Sequence, residues 1–304
     1  MTEKFILKNL KHKHYGGASC VVDRKMESQT YEYIRQACTD DCLNDAGIQD
    51  QFLNTYVDWI KDSKLNSFKG LENFPVTAYS NGTTESFDKF YMENNQRRLR
   101  CFRGEYMDHM ATWKGICPDW KYIDDEPLTE NDAVVVSLPF SDTGDVHPQM
   151  ERLLAQCTEK GIPVLIDCAF VGICHDITFD FNRPCITDIA FSLSKTFPVA
   201  NMRIGMRLSR LDNDDSLLVH KKTNYTNRLG SAVGILLMNH YSVDHNYNMW
   251  HTTQEKFCEQ LGIVPSKSVI FGIGNEQYQE YNRGGPGNRL CFAKWISQGA
   301  LPND

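Results

Sequence analysis

No run in this 304-residue chain approaches the ~20 consecutive apolar residues that a membrane-spanning helix requires. No apolar stretch of leader type follows the N-terminal charges, which argues against a secretory signal. Positive charge is not in excess either. The 32 Lys and Arg against 39 Asp and Glu leave a formal net charge of -7, which excludes general binding to nucleic acid or anionic membranes. Local basic clusters at Lys11-His-Lys-His14 and Arg97-Arg98-Leu-Arg100 read as solvated faces. A cysteine framework is also missing: eleven cysteines in a chain this long do not make a small disulfide scaffold. Neither the Cys38 and Cys42 pair nor Cys174-His175 has a matching half-site at zinc spacing, so no metal is expected. The thiols are expected to be reduced and the chain to be cytoplasmic. Internal repeats and low-complexity tracts are absent.

What remains is an ordinary globular composition, 41% hydrophobic and 23% charged, in a length that suits one large domain, or one large and one small. Apolar positions at helical spacing, first Tyr31, Ile34 and Cys38, then Phe52, Tyr56 and Ile60, predict two helices around an Asn44-Asp-Ala-Gly47 turn. A strand is expected at 75–80, then a glycine turn and a helix over about 84–94. Further strands are expected at 98–102, 133–138, 164–166, 189–193 and 205–209. Between two of them, 146–160 reads as an amphipathic helix with Pro148 in its first turn and Gly161 just past its end. This alternation predicts an α/β layer with a mostly parallel central sheet flanked by helices. Long helices follow at 215–241 and 246–261, then a Gly284-Gly-Pro-Gly287 stretch and a last strand at 289–293. The expected division is an N-terminal helical segment (1–70) belonging to a small domain, a large domain (71–225) and a small C-terminal domain (226–304).

The segment from Phe191 to Gly205 carries the chemistry. Lys195 directly follows a strand-like run, with hydroxyls at Ser192 and Ser194 and a guanidinium at Arg203. A lysine that forms a Schiff base with an aldehyde cofactor needs neighbours for the cofactor's phosphate, and hydroxyls plus an arginine fork suit that task. Ser-x-x-Lys, with Arg eight residues on and Gly two after that, resembles the pyridoxal-phosphate lysine motif of class I/II aminotransferases. The Tyr79-Ser-Asn-Gly-Thr-Thr-Glu85 turn places Gly82 before a helix start at Thr83 and Thr84, and resembles the family's phosphate loop. Asp167 ends an apolar strand, where a buried carboxylate is costly unless paired or functional. The run from Asp167 to Phe170 is similar to the family's Asp-x-Ala-Tyr, which implies that Asp167 partners the ring nitrogen.

The resemblance further places Tyr106 where a stacking aromatic is found, with Phe102 and Trp113 as alternatives. Leu138-Pro-Phe-Ser-Asp-Thr-Gly144 resembles the Asn-Pro-Thr-Gly turn, with Ser141 in the asparagine's place. In the family, that asparagine and the tyrosine of Asp-x-Ala-Tyr donate to the ring 3-oxygen. Here Ser141 is a shorter donor and Phe170 donates nothing, which leaves reactions other than transamination open. Gly287-Asn-Arg-Leu-Cys-Phe-Ala293 resembles the segment whose arginine binds the substrate carboxylate, so Arg289 takes that role by resemblance. The stretch from Asn224 to Ser231 is similar to a helix start in the family, with Arg228 toward either the active site or a dimer partner.

The resemblance covers about residues 75–295, and the first 70 match nothing. It implies a fold type I large domain with a reduced small C-terminal α/β domain, pyridoxal 5′-phosphate as cofactor, amino acid and 2-oxo acid substrates, and a homodimer. Lys195 and Asp167 would be the catalytic pair. A decarboxylase, lyase or racemase using the same cofactor, or a non-catalytic binding protein on this scaffold, are the alternatives.

Overall fold

The structure, a computed structural model, describes residues 15–21 and 23–302; the basic cluster at 11–14 lies outside them. The chain opens with helices α1 (Arg24–Ala37), α2 (Asp40–Asn44) and α3 (Ile48–Lys61). The Asp23 carboxylate caps α1 by accepting from the Lys25 and Met26 amides at 3.1 and 3.4 Å. There follow β1 (Ser67–Lys69), β2 (Val76–Ser80), α4 (Thr83–Glu93), β3 (Arg98–Cys101), α5 (His109–Thr112), β4 (Trp120–Tyr122) and β5 (Asp132–Ser137). Next come α6 (Met150–Lys160), β6 (Val164–Asp167), β7 (Thr178–Asp180), β8 (Ile186–Ser192) and β9 (Gly205–Ser209). The C-terminal part holds α7 (Ser216–Thr223), α8 (Arg228–His240), α9 (His245–Leu261), β10 (Val264–Pro265), β11 (Phe271–Gly274) and β12 (Asn288–Cys291).

Seven strands form the main sheet in the order β2-β9-β8-β6-β5-β3-β4. From β8 to β4 every neighbouring pair is parallel, and only β9 runs against its neighbours β8 and β2. Every residue of β5 and β6 is buried, as parallel strands covered on both faces must be. The largely parallel α/β sheet matches the sequence expectation. The short strands β1, β4 and β7 lacked enough length to show a pattern.

Three details differ from expectation. Helix α6 starts at Met150, so Pro148 lies in the preceding turn, which the Met150 amide closes onto the His147 carbonyl at 2.9 Å. The long helix expected at 215–241 is two helices, broken where Asn224 takes a left-handed φ of 59°. The Arg97–Arg100 cluster is no solvated face: Arg100 is fully buried, with Nη1 2.7 Å from the Asp132 carboxylate, and Arg98 pairs with Asp132 and Glu126. A guanidinium inside the fold is tolerated because backbone carbonyls of Lys121 and Tyr122 also take its donors.

The N-terminal helices pack under the large sheet. Phe52, Tyr56 and Trp59 of α3 share one apolar core with Val134, Ile166 and Phe191 of the strands. Gly234 of α8 makes room for them, since a Cβ there would lie 2.7 Å from the Phe52 ring. A second core, with Phe170, Phe257, Phe271, Leu290 and Phe292, joins α9 to the antiparallel sheet β10-β11-β12. Residues of α1 and α3 thus share the apolar core of the large sheet. All eleven cysteines are free, and among the described residues no helix is long and apolar enough to cross a membrane.

Candidate active site

The parallel strands deliver their C-terminal ends to one edge of the sheet, the place where loops of an open α/β sheet form a crevice. A cavity of about 300 Å³ lies there. Lys195 lines it, just beyond β8, and its Nζ donates to the Ala18 carbonyl at 2.7 Å. Burial lowers the lysine's proton affinity. Ser192 and Ser194 line the wall beside it, tied together by an Oγ–Oγ hydrogen bond of 2.8 Å.

Across from them α4 begins at Thr83, capped only by Gly82, which offers no side chain to its first amides. Gly82 has a φ of 76°, and a Cβ there would sit 2.3 Å from Arg203 Nη2. That guanidinium instead donates to Thr84 Oγ1 at 3.0 Å. Thr83, Thr84 and Arg203 all line the cavity. Open amides at a helix N-terminus, hydroxyls and a guanidinium together make an anion-binding corner.

Asp167, the last residue of β6, is buried at the cavity and accepts the Ala169 amide at 3.1 Å. Desolvation pushes its pKa up to about 8, nearby Glu105 adds to the rise, and Lys195 opposes it. Tyr106 lines the cavity and is 43% exposed. The alternatives do not reach it: Phe102 stacks on His147 at 3.7 Å, and Trp113 packs against the Phe87 cluster. Ser141 and Phe170 both line the wall, Phe170 standing edge-on to Phe271 with ring centroids 5.4 Å apart. Arg289 is buried there too, with Nη1 2.5 Å from the Ser141 carbonyl and its guanidinium over the Phe271 ring at 4.5 Å. Its Nε has no partner among the described residues, and burial, helped by a like charge on Arg283, pushes its pKa down to about 9. Arg228 does not reach the cavity; it donates to the Leu43 carbonyl at 2.8 Å.

Two residues here escaped the sequence reading. Arg283 lines the cavity, donates to the Ser141 carbonyl at 3.1 Å and to the Glu105 carbonyl at 2.8 Å, and lies 3.8 Å from Asp142. Glu105 is buried behind Tyr106, where its carboxylate takes the Ser137 amide at 2.7 Å and the Ser137 hydroxyl. Burial raises its pKa to about 7. The available signals were an arginine before Gly284-Gly-Pro-Gly287 and an acid beside Tyr106, and neither pattern names a partner.

The sequence profile described as aminotransferase class I and II matches residues 95–249, half of the chain. No curated protein matches the sequence. Among solved structures, an aminotransferase from Staphylococcus aureus is similar with a TM-score of 0.68 at 14% identity, over 93% of this chain and 89% of that one. A probable N-succinyldiaminopimelate aminotransferase from Thermus thermophilus gives 0.66 at 11% identity, over 98% of this chain and 97% of that one. The L-threonine-O-3-phosphate decarboxylase from Porphyromonas gingivalis gives 0.62 at 13%, over 92% of this chain and 97% of that one. At such identities the likeness is one of fold.

Proposed function

The chain belongs to the class I and II aminotransferase family of pyridoxal-phosphate-dependent transferases, and from that premise we propose that it moves an amino group between an L-amino acid and a 2-oxo acid. The observation that carries this reading is convergence: Lys195, Asp167, Arg203 and Arg289, far apart in the chain, line one cavity. The residues fit pyridoxal phosphate. Gly82 leaves the space that the Arg203 guanidinium needs, the α4 amides are uncapped, and Arg289 keeps an unspent buried donor. Gly82, Thr83, Thr84, Ser192, Ser194 and Arg203 would hold the phosphate, Asp167 the ring nitrogen, and Tyr106 a ring face.

Bound there, pyridoxal phosphate supplies an electron sink for negative charge at the substrate's α-carbon. Lys195 provides the amine for covalent attachment. The same amine would serve as the base that takes the proton from the substrate's α-carbon, a task that suits an amine whose proton affinity burial has lowered. Asp167 keeps a proton on the ring nitrogen, and a cation opposite it would draw its own pKa back down. Arg289 docks the α-carboxylate with the donors that Ser141 leaves free. Gly17 and Ala18 line the cavity as well, where the Ala18 carbonyl accepts from the lysine and would orient its amine.

Loading the protein with pyridoxal phosphate tests this. Lys195→Ala is expected to lose both the visible absorption of the attached cofactor and essentially all turnover; an intact band in that variant would defeat the assignment. A second outcome at the same α-carbon, decarboxylation, elimination or racemisation, is favoured by one observation. Phe170 lines the cavity without a hydroxyl, so the ring oxygen has one donor fewer. Keto-acid formation that depends on an added amino acceptor separates the two.

A further inference from the structure

Resting on this transferase reading, the unspent proton of the Ser141 hydroxyl carries a further inference. Ser141 is 5% exposed and lines the cavity. Arg283 Nη1 donates to its Oγ at 3.3 Å. A guanidinium has donors only, so Ser141 cannot return its proton to Arg283. Among the described residues no hydrogen bond takes that proton. The hydroxyl therefore has its acceptor side engaged and its donor side open toward the cavity.

Arg283 is itself held firmly. Its Nη2 donates to the Glu105 carbonyl at 2.8 Å, and the buried Asp142 carboxylate lies 3.8 Å from Nη1. Asp142 in turn takes the Gly287 amide at 3.2 Å and leaves no space for a side chain at Gly285, where a Cβ would lie 2.5 Å from its Oδ2. A guanidinium fixed in this way orients the serine it touches.

The order of the sheet says which acceptor Ser141 faces. The anion-binding corner belongs to β2, β9 and β8, Asp167 ends β6 at the middle, and Ser141 follows β5 on the far side. On pyridoxal phosphate the carbons bearing the phosphate arm and the phenolic oxygen flank the aldehyde carbon. A ring held with its phosphate at that corner and its nitrogen at Asp167 would turn its phenolic oxygen toward the β5 wall.

We propose that Arg283 is a positioning residue that holds the Ser141 hydroxyl as a hydrogen-bond donor to the cofactor's phenolic oxygen. Negative charge on that oxygen favours a proton on the neighbouring Lys195 nitrogen. A donor draws the charge off, so the nitrogen releases its proton at lower pH. Removing the donor must raise that pH.

The experiment is a pH titration of the visible band of the pyridoxal-phosphate-loaded protein, without substrate. Ser141→Ala and Arg283→Gln should each raise the midpoint by roughly one pH unit. Ser141→Asn, which restores a donor, should return it toward the parent value, and Arg283→Lys should shift it less than the glutamine. The Ser141→Ala/Arg283→Gln double variant should titrate as Ser141→Ala alone, because the arginine acts through the serine. An unmoved midpoint in Ser141→Ala, or an additive double shift, overturns the proposal. If Arg283→Gln does not fold, the alanine and asparagine variants of Ser141 still decide it. A parent protein that shows no visible band sinks the transferase reading as well; a normal parent band with unmoved variants sinks only this inference.

Discussion

Lys195 and Asp167 share a cavity in which burial acts on them in opposite directions. It lowers the lysine's proton affinity and raises that of the carboxyl, while the attraction between the two opposes both changes. The surrounding backbone adds its own constraint at Gly82. An alanine there would carry a φ of 76° with ψ at -178°, a region almost confined to glycine, at a cost of about 1–3 kcal/mol. Its Cβ would also meet the Arg203 guanidinium at 2.3 Å. Because that guanidinium ends a flexible side chain, it gives way and the fold survives. Gly82→Ala is therefore expected to bind pyridoxal phosphate about tenfold more weakly, a loss equal to some 1.4 kcal/mol, read from titration of the visible band. Unchanged affinity would remove the Gly82–Arg203 contact from the phosphate site. The spacing around Lys195 and the carboxylate after an apolar strand were visible as residue patterns. Arg283 and Glu105 were not, because their roles depend on backbone carbonyls and amides of distant loops.

At the level of elements, the apolar periodicity of α3 was legible, and its docking surface was not. A helical stripe states that one face is covered without saying by what. In the structure Phe52 is fully buried between Tyr79 of β2, Tyr56 and the gap left by Gly234 of α8. Phe52→Ala should destabilise the whole protein by about 3–5 kcal/mol, measured as a lowered midpoint in denaturant unfolding. A shift near zero would mean that α3 is not part of the large core. The break between α7 and α8 has a local cause, since asparagine enters the left-handed region more readily than most residues. Asn224 stood in plain view, but the apolar residues on either side continue the helical period across it.

For the whole molecule, the two buried carboxyls make stability depend on pH. Glu105 rises from its ordinary 4.5 to about 7, and Asp167 from 3.8 to about 8. A carboxyl that binds its proton more tightly when folded supports the fold fully below its ordinary pKa, and that support is lost as pH climbs to the folded value. For the cofactor-free protein, Glu105→Gln should flatten the fall of melting temperature between pH 4.5 and about 7. An equally steep fall in the variant would show that Glu105 does not titrate in that window. We further propose a homodimer in the cytoplasm, in keeping with the family resemblance. Light scattering should then return twice the mass of one chain; a monomer at working concentration, or recovery of the protein outside the cytoplasm, would count against it.

Local patterns in the sequence were enough to reveal the α/β class, the parallel strands and the residue types around Lys195, since periodicity and motif spacing are properties of short stretches. Tertiary structure alone decided which core covers the N-terminal helices, that Arg100 is buried, and that Arg283 stands behind Ser141. Each of those outcomes is a contact between segments remote in the chain, and such contacts leave no mark on local spacing.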